Sequence, residues 1–405
     1  MWKPIRQFLN DIHLYTGLLS AVVVIAVCFT GTLYVYNTEI REFFDSERYF
    51  VSGQGNPKTL EELKSGLQPL QQGKLVSVTS YSGADRTVQF QVKTEGEEKA
   101  TTYFVDSYTG EVLADNSKKT ASEEFMGYVF SLHRWLLLDK VETPILESMT
   151  NQELGRLING IATSLFLLGV LTGIFLWLPK KAKNWKQGLS VKWSGNWKRI
   201  NHDLHNALAF YSILALFIMA VTGPFWSFGW YKTGWQKTWD TYQAPEEEKK
   251  GELSNEAISP NPVLEDSTQL LEPVLISLDE ALAAANKHLT YAGVVKLTFP
   301  EDPEGDLAVS KSRTGFFARA GADQLKLNAQ TLELKEKVLF GDLPWRQQVG
   351  KSVKALHTGE IFGQFTKFLW AIACAVATSL PITGTMIWLN KRKKKRGAKG
   401  DQEAK

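Results

Sequence analysis

Asn10-Asp11-Ile12-His13 opens one apolar stretch of this chain, and His202-Asp203-Leu204-His205 opens another. Each final histidine is followed 17 residues later by a Thr-Gly pair, Thr30-Gly31 and Thr222-Gly223. The same pair recurs as Thr172-Gly173 and Thr383-Gly384, each downstream of a further histidine, His133 and His357. Four apolar stretches are long enough to cross a bilayer, which takes roughly 20 residues: Leu14–Tyr36, Leu157–Leu178, Ala207–Phe228 and Phe365–Leu389. The pattern predicts an α-helical integral membrane protein with four transmembrane helices in two parallel repeats.

Charge sets the orientation. Lys3 and Arg6 precede the first span, and Lys180, Lys181, Lys183, Lys186, Lys192, Lys198 and Arg199 lie between the second and third. Lys391-Arg392-Lys393-Lys394-Lys395-Arg396 follows the fourth. Short basic flanks stay in the cytoplasm, so both termini and the middle linker are expected there. The basic tail reads as a stop-transfer anchor, and no nucleic-acid partner is expected. Thr30-Gly31-Thr32-Leu33-Tyr34 is a poor cleavage site, so the first span is expected to be retained. The segments 37–156 and 229–364 are then external.

Those external segments carry soluble-domain patterns. A helix over Thr59–Leu67 precedes alternating strands at Leu75–Tyr81, Thr87–Val92 and Thr101–Val105, and a short one near Glu111-Val112. The second segment repeats the plan. Ser277 reads as a helix cap with Glu280 three residues on, followed by strands at Val294–Phe299, Leu307–Ser310, Gly315–Arg319 and Gln324–Leu327. Residues 244–262 read as a flexible approach. Helices at 122–138 and 344–357 carry His133 and His357. The expected division is 1–36 (cytoplasmic start and first span), 37–121 (first α+β domain), 122–179 (helix and second span), 180–201 (linker), 202–228 (third span), 229–343 (second α+β domain), 344–390 (helix and fourth span) and 391–405 (basic tail).

A helix rises about 1.5 Å per residue, so 17 residues span roughly 25 Å. His13 and His205 therefore belong near the cytoplasmic face, and His133 and His357 near the outer one. If an axis along the membrane normal relates the halves, each pair faces across it. Histidines at membrane depth are costly and call for a function, and a facing pair could bracket one haem b. Neutral imidazole is a common axial ligand. Gly17 and Ala209, each four residues after a histidine, share its helix face and leave room for a flat macrocycle. His202 aligns with Asn10 rather than His13 and competes with His205 only by proximity. His288 falls outside the pattern. The Thr-Gly pairs read as helix-packing features, and Pro224 and Pro381 as helix kinks or ends. Trp135 and Trp345 read first as interfacial belt residues and second as aromatic contacts near the outer site. The two cysteines, Cys28 and Cys374, lie within spans, which excludes a disulfide framework and covalent c-type haem. No dinucleotide, phosphate-loop or His-Glu-x-x-His motif occurs, so the chemistry would be a cofactor's.

Leu132-His133-Arg134-Trp135-Leu136, Asp203-Leu204-His205-Asn206-Ala207-Leu208 and Leu356-His357-Thr358-Gly359-Glu360 resemble the PepSY-associated transmembrane family. Phe104–Leu113, with its Asp106-Ser107-Tyr108-Thr109-Gly110-Glu111 turn, and the helix at Ser277–Ala285 resemble PepSY domains. The resemblance implies two periplasmic α+β PepSY-like domains on a bacterial inner-membrane protein tied to iron uptake. It implies two haems b held by His13, His133, His205 and His357, and reduction of a ferric siderophore or other ferric chelate. Electrons would come from a separate donor, a quinol or a cytoplasmic reductase. A rival expectation is a non-enzymatic membrane protein whose domains bind a partner or inhibit a protease. Leu327–Glu333 lacks the Asp…Thr-Gly-Glu turn, so the second domain departs from the family there and is expected to be structural only.

Overall fold

The computed structural model describes residues 2–403 except 54, 68–69, 71–72, 84, 98, 179–181, 244–276 and 303–304. The approach expected at 244–262, Lys180 and Lys181 lie outside the described residues. Helix α1 (Trp2–Tyr34) leads through α2 (Asn37–Phe44), α3 (Ser46–Tyr49) and α4 (Leu60–Ser65) into strands β1 (Gly73–Tyr81), β2 (Val88–Thr94), β3 (Thr101–Val105) and β4 (Val112–Asp115). Then come α5 (Ala121–Trp135), α6 (Asn151–Trp177), α7 (Trp197–Thr222) and α8 (Gly229–Thr238). The chain closes with α9 (Leu278–His288), β5 (Gly293–Thr298), β6 (Asp306–Arg313), β7 (Ala322–Asn328), β8 (Leu334–Val338), α10 (Trp345–Lys351), α11 (Val353–Thr358) and α12 (Gly363–Glu403).

Four helices, spanning Lys3–Tyr34, Asn151–Trp177, Trp197–Trp226 and Gly363–Lys393, are long and apolar enough to cross a membrane. Two of them begin about three turns before the apolar cores read from the sequence. The polar turns bearing His13 and His205 are helical, so both histidines sit within spans instead of at their mouths. The helices close a ring in which α1 packs on α6 and α12, and α7 on α12 and α6. Small buried residues line the contacts, among them Ser20, Gly169, Ala220, Ala373 and Ala377, as close helix approach in lipid requires. Leu19, Val22 and Leu214 point outward. Pro224 ends α7 in a short 3-10 turn, whereas Pro381 lies inside α12 without ending it.

The strands of segments 37–156 and 229–364 form one eight-stranded antiparallel sheet, ordered β4-β3-β2-β1-β5-β6-β7-β8. Each half runs from its last strand at an edge to its first at the centre, where β1 meets β5 with Val78 opposite Leu297. Inward residues alternate along the strands, as one covered face demands. Val88, Phe90 and Val92 of β2 and Leu325 and Leu327 of β7 share a core with Leu63 of α4 and with Leu278 and Ala281 of α9. Fully burying each large apolar side chain contributes about 1.5–3 kcal/mol. The two covering helices cap each other: Asp279 accepts from the Leu60 and Glu61 amides at 2.8 and 3.2 Å, and Glu61 accepts from Leu278 at 2.9 Å. The Ser277 side chain makes no cap; the first amide of α9 is held instead by Glu61 from the other segment. Thr59, Thr120 and Thr150 do form capping boxes.

Two local readings change. Gly315–Arg319 is not a strand but the β6–β7 connection, folded against the first turn of α12. The turn after Asn328 keeps the geometry of the Asp106 turn with different residues. Asp106 accepts from the Tyr108 and Thr109 amides at 2.7 and 3.1 Å, and Asn328 from Gln330 and Thr331 at 2.8 Å each. Leu332 holds φ 57° where Gly110 holds φ 78°.

Candidate functional site

The four repeat-related histidines meet as two facing pairs. His13 of α1 and His205 of α7 have ring centres 6.3 Å apart with planes at 84°. His133 of α5 and His357 of α11 have ring centres 6.2 Å apart with planes at 62°. The first pair lies toward the basic ends of the spans and the second toward the sheet. Along α1, 17 residues separate His13 from Thr30, which touches His133 at 3.3 Å.

Each histidine is seated on a Thr-Gly pair of a neighbouring span. His13 Nδ1 lies 2.9 Å from the Gly169 carbonyl and 3.2 Å from Thr172 Oγ1. His133 Nδ1 lies 2.9 Å from the Val27 carbonyl and 3.3 Å from Thr30 Oγ1. His205 Nδ1 lies 2.8 Å from Thr383 Oγ1, and His357 Nδ1 3.0 Å from Thr222 Oγ1. All four threonine hydroxyls donate to carbonyls of their own helices, so toward the imidazoles they accept. Carbonyls can only accept. The network therefore assigns the proton to Nδ1 in all four rings and leaves each Nε2 with a bare lone pair. No hydrogen bond engages any of these Nε2 atoms among the described residues. A histidine that donates through Nδ1 and offers Nε2 has the arrangement of an oriented metal ligand. Burial also lowers the pKa of His133 and His357 and favours their neutral form.

The glycines supply the space. A Cβ on Gly31, Gly173 or Gly384 would stand 3.3 Å from Cε1 of His133, His13 or His205 respectively. On Gly223 it would stand 3.7 Å from His357 Cε1 and 2.9 Å from Thr163. The Thr-Gly pairs thus do more than pack helices. Repetition of a pair in every span was the visible signal, but the partner of each pair lies on another helix.

The pairs suit a metal whose other coordination positions are already filled. A bare zinc-like ion takes about four protein ligands, and no cluster of three or more His, Cys, Asp or Glu side chains suited to an ion occurs among the described residues. Two bonds of about 2.0 Å, plus about 1.1 Å from each nitrogen to its ring centre, put coaxial imidazoles about 6.2 Å apart. Both pairs match that spacing. His13 and His205 also line a cavity of ≈ 820 Å³ with Gly17, Ala209, Phe210 and Trp388. A Cβ on Gly17 would meet nothing within 4 Å, so this face is open, as a flat group needs.

The remaining candidates fall outside the pairs. His202 is half-exposed, beside Asn206 and Asp203, and His205 takes the facing position. His288 ends α9, where its carbonyl accepts from Lys337 at 3.0 Å. Trp135 packs on Phe130 and Trp345 on Trp239. The rings near the sheet-side pair are instead Tyr34, stacked 6.5 Å from His133, and Trp226, 5.0 Å from His357. Asn159 holds the His133 carbonyl at 2.7 Å and Trp370 the Leu356 carbonyl at 2.9 Å, fixing both histidine-bearing helices to spans.

A family model described as the PepSY-associated TM region matches residues 11–391. No curated protein matches the chain.

Proposed function

The chain belongs to the PepSY-associated transmembrane family, and we propose that it is a di-haem b oxidoreductase of the bacterial inner membrane. It carries electrons outward to reduce ferric iron held by a siderophore or similar chelate. The observation that carries this reading is the pair of imidazole gaps, 6.3 and 6.2 Å, with every Nδ1 occupied by an acceptor. His13 and His205 would hold one haem and His133 and His357 the other. Bound there, haem would supply one-electron redox chemistry.

The chain's own residues provide the rest. The threonines and carbonyls fix each imidazole tautomer, so that no proton competes for Nε2. Between the two pairs, Leu216, Ala373 and Ala377 pack with Cys28, Phe166 and Met219, an apolar layer that keeps water and ions out. The sheet would be periplasmic and the basic ends cytoplasmic by the placement of Lys3, Arg6 and the tail. The two halves would be parallel repeats, which the mirrored strand order and the two facing histidine pairs support. Each ferric ion takes one electron at the periplasmic end. Hard oxygen ligands bind the ferrous ion less tightly, so iron is released. A quinol or a cytoplasmic reductase would restore the electrons.

The test is the visible spectrum of the detergent-purified protein, oxidised and then dithionite-reduced. Two b-type haems per chain are expected, and a ferric siderophore should reoxidise the reduced protein by two electrons per chain. His13→Ala and His205→Ala should remove the same haem, and His133→Ala and His357→Ala the other. A colourless protein from haem-replete cells would overturn the reading and favour a partner-binding membrane protein.

A further inference from the structure

The β6–β7 connection carries two adjacent phenylalanines outside the sheet core. Phe316 is 57% and Phe317 67% exposed. Exposed aromatic pairs on a soluble loop are unfavourable in water and mark a contact surface. Their position identifies the contact. Residues 314–321 do not project freely but lie across the first turn of α12, where the fourth span begins.

The attachment is through backbone. The Ala320 amide donates to the Ile361 carbonyl at 2.9 Å, and the Phe365 amide to the Phe316 carbonyl at 3.2 Å. Arg319 and Phe362 form an isolated antiparallel bridge. Gly363, at φ 58°, permits the close approach, since a Cβ there would stand 2.8 Å from the Gly315 and Phe316 carbonyl oxygens. The rings of Phe316 and Phe317 stand 6.4 and 5.5 Å from that of Phe365. Phe365 and Phe368 are themselves outward-facing residues of the span. The loop phenylalanines therefore extend a surface that already faces lipid.

We infer that Phe316 and Phe317 insert into the outer boundary between acyl chains and headgroups, making the β6–β7 connection a membrane-dipping anchor for the sheet. The occupant of this surface is the bilayer, because the patch is continuous with lipid-facing span residues and shares their depth. Phenylalanine suits this boundary, where an interfacial segment buries its apolar face by a few ångströms. Arg313 and Arg319 flank the pair in sequence and can meet headgroup phosphates. The anchor ties the far half of the sheet to the membrane at a point independent of the chain's crossing into α8. This inference does not depend on haem.

Site-directed spin labelling tests it. Phe317→Cys is labelled with a nitroxide in the Cys28→Ala/Cys374→Ala background and reconstituted in phosphatidylcholine–phosphatidylglycerol vesicles. Collision with oxygen, which partitions into lipid, is compared with collision with a water-soluble nickel chelate. Phe368→Cys serves as the lipid-facing reference and Leu334→Cys, on the edge strand β8, as the aqueous one. The oxygen-to-nickel ratio at 317 should match that at 368 and exceed that at 334 several-fold. A ratio equal to that at 334 overturns the inference. So does shielding from both probes, which would place another protein surface there. If the 317 variant does not fold, Phe316→Cys gives the same comparison.

Discussion

Thr383→Val isolates the seat of one histidine without touching the histidine. Valine is nearly isosteric with threonine but removes the hydroxyl that accepts from His205 Nδ1 at 2.8 Å. The helix itself loses only a back-bond to the Ser379 and Leu380 carbonyls, each 3.1 Å away. An ordinary hydrogen bond contributes about 0.5–1.5 kcal/mol net, and a buried donor left without a partner costs about 1–3 kcal/mol. The Leu380 carbonyl remains beside the ring as a substitute acceptor, so a loss of about 1–2 kcal/mol is expected. That corresponds to roughly a 5- to 30-fold weaker hold on one haem, overlapping the roughly 10- to 100-fold cost of removing an oriented ligand's outer partner. Competition with apomyoglobin for haem, followed by visible absorbance, measures it. One haem should leave more readily, and it should be the one lost in His13→Ala. The other should be unaffected, and Thr383→Ser should behave as the parent. Unchanged retention of both haems would refute the assigned role of the threonine, as would equal weakening of both.

Three further outcomes follow from the same geometry. Gly155→Ala drives a Cβ to 2.8 Å from the Trp135 carbonyl carbon; backbone must move, α5 must shift on α6, and the sheet-side haem should be lost while the other stays, read from the haem-to-chain ratio. Gly17→Phe meets no protein atom at its Cβ but projects into the open cavity; expression and thermal stability should hold while the haem of His13 and His205 is excluded, and normal loading with two haems would contradict the cavity assignment. Glu39 is pushed up by burial but pulled further down by Lys367 and Gln364, for a net lowered pKa. Its contribution is therefore present above the ordinary carboxylate value and lost as pH falls through the folded value. The melting-temperature gap between the parent and Glu39→Gln should close over that acidic window, and a gap independent of pH would remove Glu39 from the linkage.

Much of this architecture is legible because lipid and period-two strands impose strong patterns. Four apolar stretches and the spacing of His13 from Thr30 and His205 from Thr222 give the spans and the sorting of histidines into two levels along them. The missed details are those in which a residue's partner is distant. Ser277 reads as a helix cap, yet its side chain makes no cap bond and Glu61, more than two hundred residues away, holds the first amide of that helix. Gly315–Arg319 reads as a strand, yet its backbone bonds the start of α12 instead. Leu332 hid a turn that glycine marks at Gly110, because surrounding hydrogen bonds hold leucine at φ 57°. That conformation costs an L-residue roughly 1–2 kcal/mol.

The sequence alone determined that four histidines sit at two depths, because helical rise converts spacing into height. It could not determine what each Thr-Gly pair does, since a threonine's acceptor and a glycine's empty space acquire meaning only when another helix lies against them. Tertiary structure decided that His13 rests on Thr172-Gly173, His133 on Thr30-Gly31, His205 on Thr383-Gly384 and His357 on Thr222-Gly223. It also joined the two segments between spans into one sheet through β1 and β5. Strand edges pair by proximity, and proximity here is set by the packing of the spans beneath them.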